Sequence, residues 1–87
     1  MVLYYIGTPE VALMIERVGF IGDALIRVEE HPPDTNDDLL IAIHVAVPDG
    51  VDLYEHGFVS GRTHKGSEWL LSARFLNQFP RARLRCG

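Results

Sequence analysis

Leu39-Leu40-Ile41-Ala42-Ile43-His44-Val45-Ala46-Val47 is an almost unbroken aliphatic run, and its alternation is that of a strand. The odd positions Leu39, Ile41, Ile43, Val45 and Val47 make one bulky face, while Ala42, His44 and Ala46 make a smaller one. Apolar side chains on both faces predict a strand covered on both sides, well inside a sheet. Pro48-Asp49-Gly50 closes it as a turn, and Val51 to Glu55 reads as an irregular edge piece.

Upstream, Val2 to Ile6 is an apolar and aromatic run suited to a strand. Gly7 then gives a turn without Cβ restriction, Thr8 can cap a helix, and Pro9 suits its first position. The helix predicted over Pro9 to Val18 carries Val11, Met14, Ile15 and Val18 as one apolar stripe, with Leu13 beside it as the seam against the sheet. Gly19 is placed to end it in a left-handed cap, with Phe20 folding back on the last turn. Ala24 to Glu29 reads as a strand. The prolines and acids of His31-Pro32-Pro33-Asp34-Thr35-Asn36-Asp37-Asp38 cannot continue a ladder and form a loop.

Downstream, His56 to Ser67 holds three glycines and reads as an exposed loop. Glu68 to Leu71 is the next strand, Ser72 caps a short helix through Gln78, and Pro80 precedes a strand at Ala82 to Arg85. There Arg81, Arg83 and Arg85 alternate with Ala82 and Leu84, one side charged and one apolar, as on an edge strand. The sum is one α+β domain over residues 1–87: a mostly antiparallel sheet with one main helix packed on it and a short second helix.

A hydrophobic content of 47% supports a packed interior for 87 residues. No apolar run approaches the roughly 18 residues of a membrane span, and no basic stretch precedes an apolar leader. The lone Cys86 fits a reducing compartment, so a soluble cytoplasmic protein without membrane association is expected. Charge is polarised along the chain. Glu29 to Glu55 holds eight acids and no Lys or Arg, whereas from His56 onward Glu68 is the only acid against six cations. The two blocks either attract one another and solvate loops, or present Arg81, Arg83 and Arg85 to an acidic partner or phosphates. The net charge of −4 argues against general nucleic-acid binding.

The opening Tyr4-Tyr5-Ile6-Gly7-Thr8-Pro9-Glu10 resembles the Tyr-His-Gly-Thr start of the small ADP-ribosyltransferase-like families, with Ile6 where those families place histidine. Ser67 to Asn77, with Glu68-Trp69-Leu70, is similar to the Glu-Trp-Leu strand and short helix near the end of such bacterial and phage domains. His31-Pro32-Pro33-Asp34 through Asn36 resembles their Arg-Pro-Leu-Asp loop, with His31 at the arginine. Val45 to Asp49 followed by Leu53-Tyr54-Glu55 is similar to their strand, turn and edge piece. The resemblance implies a site for NAD in which Glu68, with Glu55 in reserve, stabilises an oxocarbenium-like state. Tyr5 or Tyr54 would stack on the nicotinamide, and Gly7, Thr8 and the first helix turn would meet ribose or phosphate.

Each residue also has a purely structural reading: Tyr5 as a core or edge aromatic, Thr8 as a cap, Trp69 as a core anchor, and Glu68 as a partner for Arg62 or Arg74. Other chemistry finds little support. His31, His44, His56 and His64 lie 13, 12 and 8 residues apart, without the i, i+4 pair of a helical metal site. Cys86 has no neighbouring His, Ser60 and Ser67 have no local triad pattern, and Lys65 precedes Gly66 out of register for a phosphate loop. An aliphatic Ile6 cannot bond a ribose hydroxyl. The sequence therefore favours an interaction domain that binds a protein, as an inhibitor or otherwise, or holds a nucleotide without turnover and without a required cofactor. A minimal NAD-dependent ADP-ribosyltransferase and a structural accessory subunit are the alternatives.

Overall fold

The computed structural model describes residues 1–32 and 39–85, with the side chain of Arg85 left aside. Most of the loop expected at His31 to Asp38, and Cys86, lie outside the described residues. The elements are β1 (Val2–Gly7), α1 (Pro9–Val18), β2 (Leu25–Glu29), β3 (Ile41–Ala46), a 3-10 turn (Leu53–Glu55), β4 (Gly57–Thr63), β5 (Gly66–Ser72), α2 (Ala73–Leu76) and β6 (Arg81–Arg85). The strands form one six-stranded sheet in the order β4-β5-β2-β1-β3-β6, and every neighbouring pair is antiparallel. The molecule is a small α+β domain with one main helix and a one-turn second helix. No helix among the described residues is long and apolar enough to cross a membrane.

The longest unbroken ladder joins β1 to β3, from Val2 opposite Ala46 to Gly7 opposite Ile41. Because side chains alternate across a strand, Leu3 and Tyr5 share a face with Ile43 and Val45, and Tyr4 and Ile6 share the other with His44 and Ala42. The first face is the core. Leu3, Val28, Ile43, Val45, Trp69 and Leu71 meet Ala12, Ile15 and Phe20 of the α1 segment, Leu53 of the 3-10 turn, and Ala73, Phe75 and Leu76 of α2.

Thr8 caps α1, its hydroxyl accepting from the Val11 amide at 3.5 Å, and Gly19 ends the helix at φ 91°, donating its own amide to the Ile15 carbonyl. The helix sits with a different side down from the one its bulk predicts. Ala12 and Ile15 are buried, whereas Val11, Met14 and Val18 are 36%, 41% and 65% exposed. Of the expected stripe, Ile15 alone reaches the core. The small Ala12 lets the helix approach the sheet closely, and this turns its larger neighbours outward.

Two other expectations are corrected. β3 is interior but second from an edge, and the described helices cover only one of its faces. The predicted loop over His56 to Ser67 is instead an edge strand: β4 pairs with β5 in a hairpin that turns at Thr63 to Gly66, with a bulge between Val59 and Gly61 that leaves Ser60 unpaired. Its glycines signal close approach, since a Cβ on Gly57 would overlap the Leu70 carbonyl across the ladder. His56 is not loop-like either, its ring stacking on Phe75 at 4.0 Å.

Asn77, just past α2, ties the two ends of the core together. Its side-chain oxygen accepts from the Phe20 amide at 2.7 Å and its side-chain nitrogen donates to the Phe20 carbonyl at 2.8 Å. Asn77→Ala leaves both backbone groups of Phe20 without these bonds in a partly buried turn, and we expect a loss of about 2 kcal/mol in urea unfolding. Gly57→Ala, which forces the β4–β5 ladder apart, should cost about 1–3 kcal/mol by the same measurement.

Candidate functional site

The face of the sheet away from α1 is uncovered among the described residues. Strand registers arrange it in rows that run across all six strands. One row is Gly61, Glu68, Glu29, Tyr4, His44 and Ala82; the next is Phe58, Leu70, Arg27, Ile6, Ala42 and Leu84. Val2, Leu25, Phe58 and Leu84 on this face are 38% to 51% exposed. Ala42 is fully buried yet stands apart from the core cluster, in register between Ile6 and Leu84.

At the midline of the face, Tyr4 and Ile6 of β1 and Arg27 and Glu29 of β2 line a shallow depression of about 230 Å³. Arg27 is the hub of its charges. Its guanidinium donates to Glu68 at 2.8 Å and lies 3.7 Å from Glu29. The bond to Glu68, then the charge of Glu68 and finally that of Glu29, raise the Arg27 pKa against a small opposing desolvation. His31 lies at the end of this group with Nε2 3.8 Å from Glu29, while its buried Nδ1 has no partner among the described residues.

The residues expected from sequence fall into separate places. Tyr5, Gly7 and Thr8 do meet at the β1–α1 junction, but the Tyr5 ring points into the core side and packs edge-on against Phe20 at 5.6 Å. Tyr54 lies on Trp69 at 4.9 Å, and its hydroxyl accepts from Arg62 at 3.1 Å. Trp69 faces the core and Glu68, one residue before it, faces the other way, so Tyr54 and Glu68 lie on opposite sides of the sheet. Trp69 also donates to Glu30 at 2.6 Å. Glu68 is held by Arg27, neither by Arg62 nor by Arg74.

The charged edge strand turns Arg81 and Arg83 toward the helix. Arg81 donates to the Ile15 carbonyl at 2.8 Å and Arg83 to Glu16 at 2.8 Å, while Ala82 and Leu84 take the uncovered face. Neither a known family profile, nor a characterised protein, nor a solved structure matches the chain. Among the described residues no group of three His, Cys, Asp or Glu side chains is arranged to hold a metal ion.

Arg27, Tyr4 and Glu29 were not singled out by sequence reasoning, although a signal exists. Arg27 is the sole cation between Arg17 and Arg62, and the alternation of Leu25, Arg27 and Glu29 with Ile26 and Val28 sets it on the face away from the core. The raised Arg27 pKa means that its stabilising bond is complete below the ordinary arginine range and is lost only in strong alkali, so it is constant through neutral pH. A double-mutant cycle of Arg27→Gln and Glu68→Gln should therefore give a coupling of about 0.2–1 kcal/mol that does not change across neutral pH and shrinks in about 0.5 M salt. Arg81→Gln, which removes a charged donor from a helix-end carbonyl, should cost more stability than Arg83→Gln at the exposed Glu16 pair.

Proposed function

We propose that this chain is a small interaction domain that recognises a protein through the sheet face that the described helices leave open and performs no turnover. The observation that carries this reading is the exposure of Val2, Leu25, Phe58 and Leu84 on one face around a charged midline. These side chains stand around the margins of that face, Phe58 and Leu84 on the two edge strands and Val2 and Leu25 toward its two ends, and their joint exposure on one side of a small domain favours a contact surface.

Three further features favour binding over NAD chemistry. The depression of about 230 Å³ is smaller than the roughly 300–1,000 Å³ of sites that enclose small molecules. Ile6 contributes only aliphatic surface to it, and the Glu68 carboxylate is engaged by Arg27. Glu68 and Tyr54, which a transferase would use together, sit across the sheet from one another. A ribose hydroxyl set against Ile6 would lack a partner at a cost of about 1–3 kcal/mol.

The test is calorimetry with NAD followed by a nicotinamide-release assay on the native chain and on Glu68→Gln. Weak or absent heat and no released nicotinamide are expected from both. Release by the native chain that disappears in Glu68→Gln would replace this reading with a minimal ADP-ribosyltransferase.

A further inference from the structure

We infer that the free edge of β6 takes up an extended acidic segment of another protein as an added antiparallel strand, with a carboxylate at every second position and apolar side chains between. This edge is separate from the open sheet face, and the inference does not rest on the reading of that face.

The backbone decides what the edge offers. In an antiparallel ladder the bonded pairs fall at every second residue. The Val47 amide donates to the Met1 carbonyl at 2.8 Å, and the Ala46 amide to the Pro80 carbonyl at 3.1 Å. Alternate residues of β3 from Ile41 to Val45 therefore bond to β1, and Ala42, His44 and Ala46 bond toward β6. Register sets Ala42 opposite Leu84 and His44 opposite Ala82, so Leu84 and Ala82 are the inward-bonded residues of β6. The amides and carbonyls of Arg81, Arg83 and Arg85 point away from β3, and no described strand lies beyond them. Such a row is a template for a further strand.

The two edges of the sheet are not equivalent. The β4–β5 ladder is broken by its bulge between Val59 and Gly61, whereas β6 runs opposite β3 through consecutive pairs without a shift. No proline within β6 withholds a donor. β2 and β3 are joined across β1, which lies two places in from this edge.

The outward positions are all arginines, and this fixes the occupant. A residue bonded opposite Arg81 or Arg83 carries its side chain on the same face, beside α1. Arg81 and Arg83 use only Nε in their described bonds to the Ile15 carbonyl and Glu16, which leaves the N–H groups of both terminal nitrogens to donate. Those bonds hold the guanidinium groups in place before a partner arrives. Arg81 rests on a neutral carbonyl and Arg83 on one carboxylate, so the two keep a positive charge in excess of Glu16. Carboxylates opposite them complement it. On the other face, Ala82 and the half-exposed Leu84 occupy the non-bonded pairs, where facing side chains are closest, and apolar residues suit them. A second copy is a poor occupant, because every register that bonds two such edges sets arginine opposite arginine.

The test combines the native chain with the blocked peptide Ser-Glu-Val-Glu-Val-Glu-Ser and follows backbone amides by NMR and hydrogen exchange. A contact this small is weak, and a Kd of about 10–500 μM is expected. The peptide should protect the amides of Arg81, Arg83 and Arg85, while those of Ala82 and Leu84 are already protected in the free chain. N-methylation of the central Glu, whose amide faces β6, should weaken binding about tenfold or more, whereas N-methylation of one Val should change it by less than about threefold. Arg83→Gln, which keeps the backbone donor, should weaken binding about three- to tenfold, with circular dichroism showing that the fold is kept. Lys in place of every Glu should abolish binding.

Absence of binding at about 1 mM, equal binding of the lysine peptide, or sensitivity to N-methylation at Val and not at Glu overturns the inference. Protection that appears along β4 in place of β6 overturns the choice of edge.

Discussion

One ten-residue helix has to serve a sheet of six strands. A helix of that length is about 15 Å long and the sheet is about 29 Å wide, so α1 can lie over only part of it, where it touches β1, β3 and β6. The remaining width over β5 and β2 is filled by a patchwork: the 3-10 turn brings Leu53, α2 brings Phe75 and Leu76, and Trp69 fills the space between. All of the described helical material is used on one side. The second face that the described helices leave open, with its exposed apolar rim, follows from that shortage of helical cover.

Much of this arrangement was legible in the sequence, and the exceptions have physical causes. Capping residues are local, so Thr8, Pro9 and Gly19 bounded α1, and Ser72 marked the start of α2. Alternation is also local, which made β3 and β6 readable, and short runs suited to strands gave β1, β2 and β5. The orientation of α1 was not, because bulk along a helix does not reveal which side can come closest to a sheet; the methyl of Ala12 decided it. β4 was hidden because glycine is a turn signal in isolation, and only the partner strand shows that Gly57 must admit the backbone of Leu70.

The site was less legible than the fold. Residues sharing a motif need not share a surface, as Tyr5 and Tyr54, turned to the core side, and Glu68, on the opposite face, demonstrate. The charge blocks did not reveal the pairs that the described residues make: Glu68, the lone acid of the basic block, is held by Arg27, the cation preceding the acidic block, while Arg81 and Arg83 bond to Ile15 and Glu16 at the end of α1. Such pairings depend on strand order, which charge along a chain does not encode.

The bulge at Ser60 has a consequence for how the protein behaves in a crowded solution. An antiparallel sheet with two free edges is a template onto which further chains can add strand by strand, and such growth has no natural end. Here the β4 margin is interrupted between Val59 and Gly61, and a bulge of this kind bends an edge strand away from the straight ladder that a matching strand needs. Lateral, fibre-like growth is thereby resisted at that margin.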